Sequence, residues 1–324
     1  MEKTNYRKVI QLGKTTHCIS LPKAWLEKYC VERGDTVLVD SKPNGDLIII
    51  PNSQSQIQES EITINTKNKK PEEIKRNTIA AYINNYTEIN VIGENVRKQL
   101  TNINKILELL PATEIMDVKK DSIIIKVFFD ANNTPIKNVI TRLNMLTVSL
   151  FTHIKDVLIN NGKDYEFLKR ENQINRLCFM GFRILSHASN NPHKTYLKDE
   201  RNFLSTWMLI DQLEKIADRL CSLGRILKSS KNLQNAEKSC KKNVIQLISG
   251  IESAYKTSLL SFYKNDRAVA HKIVDMCQEN SKSCNKRLVN CQDKYVVLAL
   301  EKLDRISTIT KHIGMVIIDQ KPID

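Results

Sequence analysis

The sequence lacks the signatures of several protein classes. None of its apolar runs approaches the roughly 18–20 residues that a membrane-spanning helix needs, and the opening MEKTNYR has no apolar core of a signal peptide. Histidines and serines form no H-E-x-x-H or G-x-S-x-G motif, and no G-x-x-x-x-G-K-[ST] phosphate loop is present. We therefore expect a cytoplasmic protein that is not an enzyme and does not insert into membranes.

Cysteines are present, but not at the spacing of a zinc ribbon. The chain has 8 of them and none falls in a C-x-x-C pair. Cys277, Cys284 and Cys291 follow one another at seven-residue steps, which would place them on one stripe of a continuous helix. This pattern indicates small buried side chains in a reducing compartment. Metal binding or a disulfide is the alternative interpretation.

Acidic and aromatic residues are also scarce. The chain has 50 Lys and Arg against 36 Asp and Glu, a formal net charge of +14, and only 6% aromatic residues. The charge favours an anionic partner such as nucleic acid, a phosphate-rich ligand or an acidic membrane surface, although a diffuse lysine bias would give the same number. Few aromatics and 41% hydrophobic residues suit helices packed on aliphatic side chains, and 324 residues predict two or three domains.

Residues 1–52 have the pattern of a small β-rich unit. Asn44-Gly45 between two apolar runs is a strong signal for a hairpin turn. So small a unit buries little core alone, so we expect it to pair with a second copy as a homodimer. The predicted elements are strands 6–12 and 17–21, a helix 24–29, and strands 36–39 and 47–50.

The rest of the chain divides into a mixed segment and a helical segment. Residues 60–133 predict a small α/β connector without a glycine-rich phosphate loop: strand 61–65, helix 72–86, strand 89–92, helix 96–110 and a hairpin of 113–118 and 122–129. Residues 134–318 predict an antiparallel bundle of six helices in two sets of three, which suggests an internal duplication. The predicted helices are 135–160, 164–188, 198–229, 233–264, 267–289 and 292–318.

Basic side chains are concentrated at the amino-terminal end. Arg7, Lys8, Lys14 and Lys23 share the first 25 residues with one acidic residue, Glu2. They either form the solvated edge of a small fold or a surface for an anionic partner. Two strands and a helix start could project these cations from one sheet edge, and dimerisation would double that surface for a DNA duplex.

This amino-terminal segment resembles a known DNA-binding family. The stretch RKVIQLGKTTHCISLPKAW, followed by VERGDTVLVD and NGDLIIIP, is similar to the AbrB/MazE/SpoVT swapped-hairpin domain, in its archaeal variety with a G-x-[ST]-x-x-x-x-SLPKxW core. The resemblance covers about residues 5–52. It implies an obligate dimer of interleaved hairpins in which Arg7, Lys8, Lys14 and Lys23 face double-stranded DNA. Gly13 and Leu21-Pro22 are further apart here than in the short bacterial pattern, so the loop that carries Lys14 would sit differently.

Carboxylates line one face of a predicted bundle helix. Asp211, Glu214 and Asp218 are spaced three and four residues apart, and Glu171 and Asn175 are four apart on the preceding helix. If the two helices pack antiparallel, these oxygens could hold a hard cation. The alternative is a solvated acidic face that is neutralised by Lys215, Arg219 or Arg176.

These two stretches resemble the E-x-x-x-D-R and LERIxD segments of the PhoU family of phosphate-signalling three-helix repeat proteins. The resemblance spans roughly residues 134–318 and implies a divalent or trivalent metal in the first repeat, bound by Glu171, Asn175, Glu214 and Asp218, with Asn175 in place of the usual Asp. The second repeat departs from the pattern, because Asp304 and Thr308 take the Glu and Asp places and the helix before them offers only Glu279 and Ser283. No metal is therefore expected there.

Taken together, these features predict a multidomain protein: an AbrB-like swapped-hairpin domain (1–52), a small α/β connector (60–133) and an all-α PhoU-like bundle of two three-helix repeats (134–318). The predicted function is DNA-binding transcriptional regulation linked to phosphate uptake or homeostasis. The alternative is a phosphate-signalling adaptor that docks on phosphate-transport or signalling proteins and uses its amino-terminal domain only to dimerise. An antitoxin is disfavoured, because antitoxins of this fold end in a short disordered tail.

Overall fold

A computed structural model describes residues 6–41, 45–51, 60–160, 169–190, 200–229, 238–289 and 294–320. The chain forms two compact units, residues 1–59 and residues 60–324. Within the described residues, no helix is both long enough and apolar enough to span a bilayer.

The first unit consists of two antiparallel hairpins and a short helix. Gly13, at a φ of 75° that favours glycine, lies in the turn of the first hairpin. The register pairs Ile10 with Cys18, so only the residues next to the turn form strands. Pro22 precedes the helix, where its missing N–H costs no hydrogen bond. The elements are β1 (Ile10–Leu12), β2 (Thr16–Cys18), α1 (Lys23–Lys28), β3 (Val37–Ser41) and β4 (Leu47–Pro51).

This unit has almost no core of its own. Among residues 6–41 and 45–51, Ile50 is the one buried side chain, at 9% exposure. The apolar side chains of both hairpins face solvent instead, although their alternating pattern is typical of half-buried strands. Those more than 45% exposed are Tyr6, Val9, Ile10, Leu12, Ile19, Leu38, Val39 and Leu47.

The second unit begins with a four-stranded mixed sheet and two helices. The strand order is β5-β6-β8-β7, in which β5 and β6 run parallel and the other neighbours are antiparallel. Alternate residues such as Ile89, Val91, Ile123 and Ile125 are completely buried. The elements are β5 (Glu61–Asn65), α2 (Pro71–Ile83), β6 (Glu88–Ile92), a 3-10 turn (Val96–Gln99), α3 (Leu100–Leu107), β7 (Thr113–Val118) and β8 (Ser122–Val127).

Six long helices follow the sheet. α4 packs on α5, α6 and α7, while α9 packs on α6, α7 and α8. Their shared core is mostly aliphatic, as the low aromatic content predicted. The bounds are α4 (Ile136–Asn160), α5 (Arg170–Asn190), α6 (Glu200–Ser229), α7 (Lys238–Lys264), α8 (Arg267–Val289) and α9 (Lys294–Ile318).

The sheet segment and the helices share side chains. Ile83, Phe129 and Phe179 pack against the hydrophobic cores of both. Arg183 of α5 is 2% exposed and donates hydrogen bonds to the backbone carbonyls of Tyr82 and Tyr86, at and just beyond the end of α2. Carbonyl groups at a helix carboxyl end attract a cation, which explains how this charge is accommodated in the interior.

The predicted elements are present, with shifts at their ends. The predicted strands 6–12 and 17–21 are longer than the paired segments, and the helix expected at 96–110 begins as the 3-10 turn and ends at Leu107. Helix 267–289 is confirmed at both ends. The predicted starts 164, 198, 233 and 292 lie outside the described residues. The duplication and the domain boundaries stay predictions.

The cysteines are free thiols where the structure describes them. Cys277 and Cys284 are both buried in α8, and Cys291 lies outside the described residues. Cys178 and Cys221 are buried too. Burial was therefore predicted correctly for these four, whereas Cys30 in the first unit is exposed.

Candidate functional site

The basic residues of the first unit that the structure describes are all exposed. Lys14 lies in the turn of the β1–β2 hairpin, while Arg7 and Lys8 precede β1 at the opposite end. Lys8 and Lys14 are six residues apart along an extended segment, up to about 20 Å. One hairpin therefore does not gather these cations into a single cluster, and a continuous basic surface would need a second copy.

The four cations differ in their surroundings. Lys23 forms an ion pair with Glu27 across one helical turn, at 3.6 Å between Nζ and Oε1. Both side chains are more than half exposed, so this ion pair contributes little to the stability of the fold. Arg7, Lys8 and Lys14 form no ion pair with any residue that the structure describes. These three are therefore the cations available to an anionic partner.

The carboxylates of the bundle occupy the α5–α6 interface. α5 and α6 run antiparallel, because Glu171 near the start of α5 pairs with Arg225 near the end of α6, and Phe182 stacks on Trp207 near the start of α6. Asp211 pairs with Lys215 at 2.5 Å. Lys215, one of the cations expected to neutralise this acidic face, thus pairs with Asp211. Arg176, another of them, instead donates a hydrogen bond to the backbone carbonyl of Glu108 in the sheet segment, at 2.8 Å.

Glu214 and Asp218 are half-buried, as is Asp211. Burial raises the pKa of Glu214, as do Asp218 and Asp211, while Lys215 opposes them. Burial also raises the pKa of Asp218, against the nearby Arg219. The same negative charges, added to burial, raise the pKa of the Cys178 thiol on α5. Glu214 and Asp218 are thus placed opposite the middle of α5.

Asn175 supplies the atom that favours a cation at this position. It lies one turn before Cys178, and its Oδ1 is buried without a hydrogen-bond donor. A buried acceptor normally has a partner. Among the predicted ligands, Asn175 is thus the one whose oxygen has no donor within the described residues, and amide oxygens are among the ligands of hard cations.

Two observations limit the predicted metal site. Glu171 is held by Arg225, and within the described ranges no three His, Cys, Asp or Glu side chains come close enough to share one ion. Metal binding by Glu171, Asn175, Glu214 and Asp218 stays a prediction.

The corresponding part of the second repeat differs. Asp304 of α9 lies near Cys284 of α8 and, together with burial, raises the pKa of that thiol to about 12. Thr308 lies one turn further along α9, and it lines a polar groove instead of joining a carboxylate pair.

Residue spacing in the sequence did not predict three charged contacts that stabilise the second unit. Arg225 is 54 residues from Glu171, and Arg183 reaches carbonyls about a hundred residues away. Lys155 of α4 reaches buried Glu252 of α7 at 2.5 Å, and Lys256 approaches the same carboxylate at 2.7 Å. Glu252 could have been found as an acidic residue at a position that helical spacing predicts to be buried. Its lysine partner on α4 could not be predicted, because that contact depends on which helices pack together.

Comparisons with known proteins give one similar solved structure. No family model matches the chain, and no curated protein matches it. Among solved structures, PhoU from Pseudomonas aeruginosa is similar, with 16% sequence identity and a TM-score of 0.48. The similarity covers 56% of this chain and 93% of that chain.

Proposed function

We propose that this chain is a DNA-binding transcriptional regulator linked to phosphate uptake or homeostasis. Two copies join through their hairpin units and place Arg7, Lys8, Lys14 and Lys23 of each copy against duplex DNA. Neutralising backbone phosphates with these cations releases counterions, which supplies binding energy without reading sequence. The helical bundle serves as the sensor or interaction domain that biases this binding, with phosphate-transport or signalling proteins as further partners.

One observation carries the proposal. Arg7, Lys8 and Lys14 are exposed and unpaired among the described residues, in a unit whose apolar hairpin faces are also exposed. A protein surface rarely leaves so many apolar side chains in water unless another surface covers them. Pairing of two copies covers these faces and doubles the cations at the same time.

The link to phosphate rests on the bundle sequence. The segments around Glu171 and Asn175 and around Glu214 and Asp218 resemble those of the PhoU family, and the six helices are present in the structure. Their carboxylates are held at the α5–α6 interface, where a bound ion or a partner would change the packing of two helices.

The adaptor remains the second candidate because of how charge is distributed. Residues 1–59 contain 8 Lys and Arg against 7 Asp and Glu, whereas residues 60–324 contain 42 against 29. The hairpin unit therefore has almost no net charge, and its cations act only through their placement. An adaptor would use this unit for dimerisation alone.

Binding to duplex promoter fragments at several salt concentrations distinguishes the two functions. We expect the full chain to bind in the presence of competitor DNA, and Arg7→Ala and Lys14→Ala each to weaken binding to all duplexes about equally. Each should flatten the slope of log K against log salt by about one unit per lost phosphate contact, or two in a symmetric dimer. If Arg7 reads a guanine edge, the loss concentrates at one base position instead.

The matched control is the double variant Lys28→Ala and Arg33→Ala, which removes two exposed cations of the same unit. It should bind like the native chain. Identical binding curves for the native chain, both single variants and their double variant would exclude the basic surface as a DNA contact and leave the adaptor function.

A further inference from the structure

A groove between α8 and α9 is lined by seven side chains, six of which can donate hydrogen bonds through nitrogen or oxygen, although carbon atoms make up most of its surface. Its volume is about 250 Å³, smaller than the roughly 300–1,000 Å³ of clefts that hold drug-sized ligands. The buried Cys277 lies in its lining. The other lining side chains are Gln278, Ser281, Lys282, Asn285, Thr308 and Lys311.

The sequence explains why these side chains share one groove. On α8 the polar residues recur at positions 278, 281, 282 and 285, the spacing of one helical face, and on α9 the residues 308 and 311 are one turn apart. The hydroxyl of Ser307 donates to the Cys277 carbonyl at 2.9 Å and fixes the register of the two helices there. Gln278, Lys282 and Asn285 are exposed, so this polar stripe lies on the solvent side of the α8–α9 contact.

The lining of the groove carries two lysines and no acid, and the acids nearest in sequence, Glu279 and Asp304, are not part of it. Lys282 and Lys311 form no ion pair or hydrogen bond with any residue that the structure describes, and neither do the four polar side chains between them. The sequence has no Asp or Glu from residue 280 to 292 or from 305 to 318. The charge of Lys311 also acts on the buried Cys277 in the lining. Burial raises the pKa of the Cys277 thiol to about 11, and the positive charge of Lys311 opposes that rise.

From this lining we infer that the α8–α9 groove is a binding site for a small phosphate-class oxyanion, either inorganic phosphate or a compact phosphate ester. Two ammonium groups supply the charge, and the hydroxyl and amide side chains donate to the remaining oxygens. A tetrahedral oxyanion offers three or four acceptor oxygens, which suits six donor side chains better than the two oxygens of a carboxylate. Lysine acts as a compact point charge and does not require the planar geometry of a guanidinium.

The site is distinct from the proposed DNA contacts and does not depend on them. It lies on the second three-helix set, and no DNA is needed to observe it. Binding therefore tests the groove by itself, and the DNA-binding experiment can fail or succeed independently.

Calorimetric titration of the full chain with inorganic phosphate, pyrophosphate and glycerol phosphate tests the inference. We expect saturable binding of at least one of these probes at one site per chain, with citrate binding more weakly. The double variant Lys282→Gln and Lys311→Gln should weaken the binding by about tenfold per lysine, because each loses one charge-assisted hydrogen bond. Thr308→Asp should abolish it by adding a negative charge to the lining.

The matched control removes two exposed lysines at other positions of the same helices, Lys272→Gln and Lys294→Gln. It should bind as the native chain does, and all variants should retain native helicity by circular dichroism. A preference for inorganic phosphate or for an ester identifies the ligand, and either supports the site. Absence of binding by all three probes, equal loss in both double variants, or displacement of the probe by a short DNA duplex would overturn it.

Discussion

At the scale of single residues, Glu252 shows how the bundle retains a buried charge. Its side chain is 7% exposed and lies between Lys155 of α4 and Lys256 of its own helix. Burial alone would raise the pKa of this carboxyl, but hydrogen bonds from Lys155 and Lys256 outweigh burial and lower it. The carboxylate therefore belongs to a satisfied network that joins the two three-helix sets.

We predict that Glu252→Gln lowers the free energy of unfolding at pH 7 by about 1–3 kcal/mol, because a charged hydrogen-bond acceptor is lost from a buried site. The folded pKa is below the unfolded one, so the native carboxylate contributes stability above the unfolded pKa and loses it as pH falls through the folded pKa. The difference between the native chain and the variant should therefore shrink below about pH 4.

Urea unfolding at pH 7 and at acidic pH measures this difference. Asp117→Asn is the control, since Asp117 and Lys119 form an exposed pair at 3.3 Å whose loss should cost under about 1 kcal/mol. An equal loss at both pH values for Glu252→Gln would contradict the assigned role of its charge.

The sequence predicted the exposure of single residues better than their partners. Lys14 and Arg7 were expected at the surface because charged side chains are rarely buried, and they lie there. The cations expected to neutralise the acidic face were Lys215, Arg219 and Arg176, whereas Glu171 pairs with Arg225 on the opposite helix. Spacing along one helix predicts neighbours on that helix, whereas the register between two helices is set by packing of the whole interface.

At the scale of elements, the hairpins of the first unit need a partner surface. Val9, Ile10 and Leu12 are each more than half exposed, and so are Leu38 and Val39. Covering an apolar side chain stabilises by about 1.5–3 kcal/mol when burial is complete. We therefore predict that residues 1–52 expressed alone are dimeric.

Sedimentation of this fragment at micromolar concentration measures its mass. Leu12→Asp and Val39→Asp should each shift it towards an unfolded monomer, because a charge would enter the covered surface. Lys28→Asp, at an exposed helical position, is the control and should leave the dimer intact. A folded monomeric fragment would refute the expected pairing.

The α5–α6 interface carries the metal prediction. If Glu214 and Asp218 bind a hard cation together with Glu171 and Asn175, Glu214→Gln combined with Asp218→Asn should remove bound iron, zinc or manganese and leave helicity unchanged. Metal analysis of the purified full chain by mass spectrometry measures this, with Asp156→Asn and Asp275→Asn, two exposed acids, as the control. Native protein without metal would leave only the salt-bridge interpretation of these carboxylates.

Long helices were easier to predict than short strands. The helix expected at 135–160 is observed at Ile136–Asn160, a difference of one residue. The prediction was accurate because the apolar spacing of this helix is repeated over seven turns. The strand expected at 6–12 is only three residues long, since a strand requires a facing segment and the register with Thr16–Cys18 ends at Ile10. Local pattern determines a helix, whereas pairing determines a strand.

At the scale of the whole molecule, the sequence indicated three segments and the structure divides the chain at one position. The boundary near residue 59 follows a change from hairpins with little core to a unit with extensive hydrophobic cores. The boundary near 133 was predicted from the change from mixed elements to helices. Composition cannot reveal that Phe179 and Phe129 contact both segments, because these contacts join residues far apart in sequence.

The side chains shared between the sheet segment and the helices have a consequence for how the protein melts. Ile83, Phe129 and Phe179 belong to both cores, and Arg183 holds the end of α2 from within α5. Neither segment can lose its structure without exposing part of the other, so residues 60–324 should melt cooperatively. Scanning calorimetry should show one heat-absorption peak for them, with equal calorimetric and van't Hoff enthalpies. A second peak should belong to the hairpin unit, and its temperature should change with protein concentration, as expected for a dissociating dimer. Two concentration-independent peaks within residues 60–324 would show that the sheet and the helices unfold as thermodynamically separate units.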